Sequence, residues 1–141
     1  VLGGEGFFHR GLSAFMPGHA FQVLPGQYAV CRLAPDAARP AWAVGDFVSV
    51  TATGEELSVI CPAEAVPADV QVERNWRVLK VAGPFALDTV GVLAALAVPL
   101  AAAQVSVLTV GTFDTDYLLV KADALDAALR ALAAAGHRRR D

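Results

Sequence analysis

The stretch WRVLKVAGPFALDTVGVLAALAVPLAAAQVSVLTVGTFDTDYLLVKADALDAALRAL, residues 76–132, decides the fold. Trp76 to Val81 alternates apolar and polar side chains as a strand does, and Gly83 with Pro84 ends it. Val90, Leu93, Ala94 and Ala97 then recur at helical spacing, with Asp88 or Thr89 as the expected capping residue and an apolar face running to about Ala103. Pro99 inside that run lacks a backbone N–H, so a kink is expected rather than a stop. Val105 to Thr112 and Asp116 to Val120 read as a second hairpin, turning at Phe113, Asp114 and Thr115. A last helix, capped by Asp123, carries the stripe Leu125, Leu129 and Leu132 and an Asp126–Arg130 pair, and Gly136 stops it. Strand, helix, strand, strand, helix is the split βαβ order of ferredoxin-like folds, and a truncated final strand would complete it.

Upstream, the same order recurs in reduced form. Gly26 to Leu33 reads as a strand, and two short helical turns are expected near Asp36 and between Pro40 and Gly45. Asp46 to Thr51 and Glu56 to Cys61 flank a glycine turn as a hairpin, and Val70 to Glu73 forms a further extended piece. The expected class is α+β, two tandem ferredoxin-like (βαββαβ) units with antiparallel sheets and helices on one face. The expected division is an arm over residues 1–20, a reduced unit over 21–73 and a full unit over 74–141 with a short basic tail. The arm, disordered or laid over an apolar patch, offers Phe7, Phe8, Phe15 and Met16.

Composition narrows the function. The chain of 141 residues is 55% hydrophobic and carries a net charge of −3, so it offers no broad positive field for nucleic acid. The one basic cluster, Arg138 to Arg140, reads as a solvated tail. Cys31 and Cys61 lack metal-site spacing and sit in apolar runs as buried thiols, and no metal or cofactor is expected. No run reaches the roughly 18–20 apolar residues of a membrane helix without interruption, and no signal peptide is legible, so a cytoplasmic location is expected. His9, His19 and His137 all lie outside the expected elements, which leaves no preorganised acid, base or nucleophile. Glu73, Arg74 and Arg77 read as exposed ion pairs, and Trp76 as a core anchor.

The one chemical constellation is Thr112 to Asp116, at a turn that this topology brings to the loop before the first long helix, Gly83 to Gly91. Free N–H groups at the helix start suit a carboxylate, and a nearby Asp suits an ammonium or guanidinium. The same residues could equally form an Asx-type turn with Asp116 in solvent.

Taken in order, QYAVCRL, ELSVICP, WRVLKVAGPF, GVLAALAVPLA and GTFDTDYLLVK resemble small bacterial ACT-domain proteins, which look like half of a CASTOR-type cytosolic arginine sensor. The resemblance spans about residues 22–137. It implies a non-catalytic, regulatory protein with a small-molecule ligand, an amino acid, held between ACT units. By motif the ligand residues are Val90, Gly91 and Leu93 at the helix start and Thr112, Phe113 and Asp116 at the turn, with Val70 and Gln71 less securely matched. Asp116 would face the ligand's cationic group. Those sensors have four ACT units and this chain about two, so a homodimer is expected to supply the second surface. The helix-start loop departs from the sensor pattern in being apolar at Ala86 and Val90, which puts arginine itself in doubt. A structural or protein-interaction module without a ligand is the alternative.

Overall fold

A computed structural model describes residues 18–141. The arm residues Phe7, Phe8, Phe15, Met16 and His9 lie outside the described residues. The strands are β1 (Ala20–Val23), β2 (Tyr28–Leu33), β3 (Ser49–Ala52), β4 (Leu57–Pro62), β5 (Gln71–Val81), β6 (Leu108–Gly111), β7 (Asp116–Lys121) and β8 (Arg138–Arg139). The helices are α1 (Val92–Ala102) and α2 (Leu125–Ala134), with single 3-10 turns at Ala63–Ala65 and Ala122–Ala124.

All eight strands join one sheet through β5. β2 pairs with its first half, from Gln71 to Trp76, and β1 with its end, from Leu79 to Val81. β7 takes the opposite edge from Trp76 to Lys80 and carries β6, while β4 and β3 extend outward from β2. Only β1 and β8 run parallel. The division expected at residues 73 and 74 falls within β5.

The long strand contains its own break in phase. Asn75 sits at φ 70°, and between the Tyr28–Trp76 and Val30–Glu73 pairs β5 carries one extra residue, a bulge. Asn tolerates the left-handed region better than a branched residue would. The bulge moves Val72 to the side that Leu79 and Val81 occupy farther on, and turns Trp76 and Val78 to the other. That is why the sequence reads as two strand pieces here.

Alternation then builds both faces. Phe21, Val23, Leu79, Val81, Leu118 and Val120 pack under α1 and α2 against Leu96, Leu100, Ala128 and Leu132. Under the first half, no helix forms at Asp36 or Pro40; turns and the loop carrying Ala43, with Val66, cover Ala29, Cys31, Val59 and Cys61. The two prolines at 35 and 40 leave too short a segment to nucleate a helix. On the opposite face Phe47 covers Tyr28, Trp76 and Tyr117, stacking on Tyr117 at 4.4 Å between ring centres.

Several local expectations are corrected. α1 is capped by Gly91, at φ 91°, and not by Asp88 or Thr89; neither side chain bonds its first turn. α2 follows a 3-10 turn, so Asp123 does not cap it, and Asp126 and Arg130 form no ion pair. Arg138 and Arg139 are an edge strand rather than tail. Glu73 pairs with Lys121 at 3.1 Å, whereas the Arg74 guanidinium donates to the carbonyls of Ala63 and Val66 at 3.0 and 3.1 Å. Trp76 is buried, as expected of a core anchor, with the Lys121 ammonium 4.7 Å from its ring centre.

Pro99 lies within α1 and, lacking an N–H, leaves the Ala95 carbonyl without its helical donor. His137, 6% exposed, fills that role: its Nε2 stands 2.7 Å from the Ala95 oxygen. The backbone N–H of His19 donates to His137 Nδ1 at 2.9 Å, which fixes the proton on Nε2. One imidazole therefore ties the residue before β1, α1 and the segment after α2.

Candidate functional site

Two connections meet beyond the end of β5. The loop from Ala82 to Gly91 leads into α1, and the turn from Thr112 to Thr115 joins β6 to β7. The turn is closed by Thr112, whose N–H and hydroxyl donate to the Thr115 carbonyl at 2.9 and 3.0 Å. The Thr115 N–H returns to the Thr112 hydroxyl at 3.3 Å. Two bonds then fasten turn to loop: Phe85 N–H to the Asp114 carbonyl at 2.7 Å, and the buried Thr115 hydroxyl to the Val81 carbonyl at 2.8 Å. The approach is close enough that a Cβ on Gly83 would stand 2.8 Å from the Asp114 oxygen.

The result is a shallow cleft of about 80 Å³ lined by Phe85, Leu87, Thr89, Val92 and the turn residues Thr112 to Asp116. The start of α1 has no side-chain cap; Val92, in its first turn, and the half-buried Asp116, at the start of β7, both line the cleft. Around it the surface is unusually apolar: Val90 is 94% exposed, Phe113 79% and Leu87 72%. Leu93 is exposed beside them on α1.

Of the residues expected from the sequence, Thr112, Phe113 and Asp116 line the cleft, and Val90, Gly91 and Leu93 stand at the adjoining helix start. Val70 and Gln71 stand at the other end of β5, where Gln71 pairs with Arg32, and do not line it. The sequence reading did not single out Phe85, and it placed Thr115 in the turn without its role; a polar residue amid an exposed turn gave no sign that its hydroxyl reaches back to β5.

Titratable groups elsewhere serve the fold. Cys31 and Cys61 are free and buried on adjacent strands, and desolvation first, with the neighbouring Cys31 thiol second, pushes the Cys61 thiol up to about 11. His19 stacks on His137, and burial foremost, then His137, lowers its pKa. Among the described residues no group of three or more His, Cys, Asp or Glu is placed to hold a metal ion, and no helix is long and apolar enough to cross a membrane.

The comparisons agree with this architecture. An ACT domain family model matches residues 71–134, and a second model, of an N-terminal domain, matches residues 26–69. The human cytosolic arginine sensor for mTORC1 subunit 1 is 31% identical over 84 residues, covering 54% of this chain. This chain spans 26% of that protein's length. The regulatory subunit of aspartate kinase from Thermus flavus superposes with a TM-score of 0.60 at 13% identity, over 85% of this chain and 99% of that one, a likeness of fold. The Agobacterium tumefaciens protein Atu0741 is 39% identical, with a TM-score of 0.84 over 89% of this chain and 94% of its own. The chain therefore carries an ACT domain over residues 71–134 and belongs to one family with Atu0741, which it matches almost end to end.

Proposed function

We propose that this protein is a non-catalytic regulatory module that binds a free amino acid between ACT units, in a site completed by a second copy of the chain. The observation that carries the reading is the cleft itself: the uncapped start of α1 and the carboxylate residue Asp116 border one cleft of about 80 Å³, beside exposed Val90, Phe113 and Leu87. Sites that enclose small ligands occupy roughly 300–1,000 Å³, so this chain supplies one wall. A second copy laid on the apolar rim would remove it from water and deepen the cleft, and its Val70 and Gln71 are candidates for the far wall. The ligand's carboxylate would lie at the α1 start, its cationic group at Asp116, with backbone contacts from Thr112 and Phe113. The arginine-sensing relative supports an amino acid as the class of ligand and a cytoplasmic setting. Regulation would then follow from unequal affinity for two arrangements of the units.

The test is a thermal-shift screen of the twenty amino acids on the wild type and on Asp116→Ala, with light scattering for mass. A ligand selective for the folded protein at a hundredfold its Kd adds about 2.7 kcal/mol. A shift with one or two amino acids, absent in the variant, supports the reading. A stable dimer that no amino acid shifts favours the interaction-module alternative, for which the exposed rim alone would suffice.

A further inference from the structure

On the other side of the same turn lies a second, larger cavity of about 460 Å³, on the sheet face that no helix among the described residues covers. Its floor is a row across adjacent strands. Gln22 of β1 is paired with Lys80 of β5, and Lys80 in turn with Tyr117 of β7. β8 continues the row: Phe21 faces Arg139, and the Arg140 N–H donates to the Phe21 carbonyl at 2.8 Å, so Arg140 comes level with Gln22 on the same face. Gly83 and Pro84 form the upper wall, and Asp114 stands on the rim.

The charges are what set this cavity apart. Lys80 is half-buried, Arg140 is exposed, and neither takes part in an ion pair or a side-chain hydrogen bond among the described residues. On a chain of net charge −3, two cations without an ion pair and a single carboxylate among the described lining residues, with an amide between the cations, form a local positive well. Among the described residues the apolar cover of this face stops at Tyr117, where Phe47 stacks, and the charged row lines an open cavity. We infer that this cavity binds a small dicarboxylate, one carboxylate on the Arg140 guanidinium and the other on the Lys80 ammonium, with the Gln22 amide as a further donor. It is a site distinct from the cleft at Asp116, and the two share the Asp114–Thr115 turn as a common wall. The proposal does not depend on the amino-acid reading of that cleft.

Succinate is the probe, titrated calorimetrically into the whole chain at low salt. Saturable binding of one succinate per chain is expected, weakened roughly tenfold by Lys80→Gln and by Arg140→Gln, and lost progressively with added salt. Asp114→Asn, which removes the repelling carboxylate, is expected to tighten binding. Asp116→Ala is expected to leave it unchanged, whatever that variant does to amino-acid binding. Absence of saturable binding up to ~10 mM, a level at which even millimolar affinity is visible, would overturn the proposal. So would affinity untouched by both cation variants, whose folding circular dichroism checks, or affinity lost in Asp116→Ala.

Discussion

Replacing His137 by alanine removes two hydrogen bonds at once and leaves their backbone partners in place. The Ala95 carbonyl lies on the buried side of α1, and Pro99 removes the N–H that would bond it in a regular α-helix. The His19 N–H loses its acceptor too. Each buried polar group left unpaired costs about 1–3 kcal/mol, and the vacated ring adds a cavity that the neighbours fill only in part. The two unpaired groups alone come to about 2–6 kcal/mol, a large share of the roughly 5–15 kcal/mol by which a domain of this kind is stable. The mechanism is tested by a double-mutant cycle with Pro99→Ala, which returns an N–H to the Ala95 carbonyl. Removing an internal proline has effects of its own on both folded and unfolded states, and the cycle cancels them. Pro99→Ala should therefore be more stabilising in the His137→Ala background than in the wild type, by about 1 kcal/mol or more. Urea unfolding, followed by the fluorescence of Trp42 and Trp76, gives all four stabilities. Additive effects would refute the idea that the imidazole substitutes for the proline's missing donor, even if His137→Ala alone proved costly.

Four further outcomes follow from the geometry. Thr115→Val keeps the shape but leaves the Val81 carbonyl without the hydroxyl at 2.8 Å, and should lower stability by about 1–2 kcal/mol in the same urea assay. Gly83→Ala forces a Cβ to 2.8 Å from the Asp114 oxygen, so the loop and turn must part; a loss of about 1–3 kcal/mol is expected, with faster amide exchange at Phe85, whose N–H bonds that oxygen. Both thiols should resist a thiol-specific reagent at pH 8 in the folded protein and react fully once denatured, because Cys31 and Cys61 are buried and desolvation pushes the Cys61 thiol up to about 11. The His19 pKa is lowered from 6.5, so the unfolded chain takes up the proton first. Stability from this group is complete above pH 6.5 and declines as pH falls toward the lowered value, and His19→Gln should flatten that part of a stability-against-pH curve.

The second half of the fold was legible because each of its elements carries its own period. Alternation in Trp76 to Val81, helical spacing through Pro99 and the threonine-rich turn at Thr112 all announce themselves within a dozen residues. What escaped depends on distant partners. Asn75 gave no warning that Val70 to Glu73 and Trp76 to Val81 form one strand, since its left-handed backbone is fixed by the bulge against β2. Gly91 was read as a ligand residue and not also as the cap of α1. His137 looked like part of a mobile end, and only the Ala95 carbonyl, forty-two positions away, explains its burial. The meeting of the turn with the helix-start loop was legible from topology, and the residues that fasten it were not.

The course of β5 decides how this chain can be recombined. The two family matches abut at residues 69 and 71, which suggests a clean junction for grafting the second half onto another protein. The hydrogen bonds say otherwise: β1, from upstream of both matches, pairs with Leu79 to Val81 and carries β8, while β2 holds the first half of β5. A chimera that keeps only residues 71–134 would expose Val81 and Leu79 along an open strand edge, an invitation to aggregation. A graft that also carries residues 18–24 by permutation, with the chain continued to Arg140, restores that part of the edge, while the Gln71–Trp76 part stays open unless β2 is carried as well.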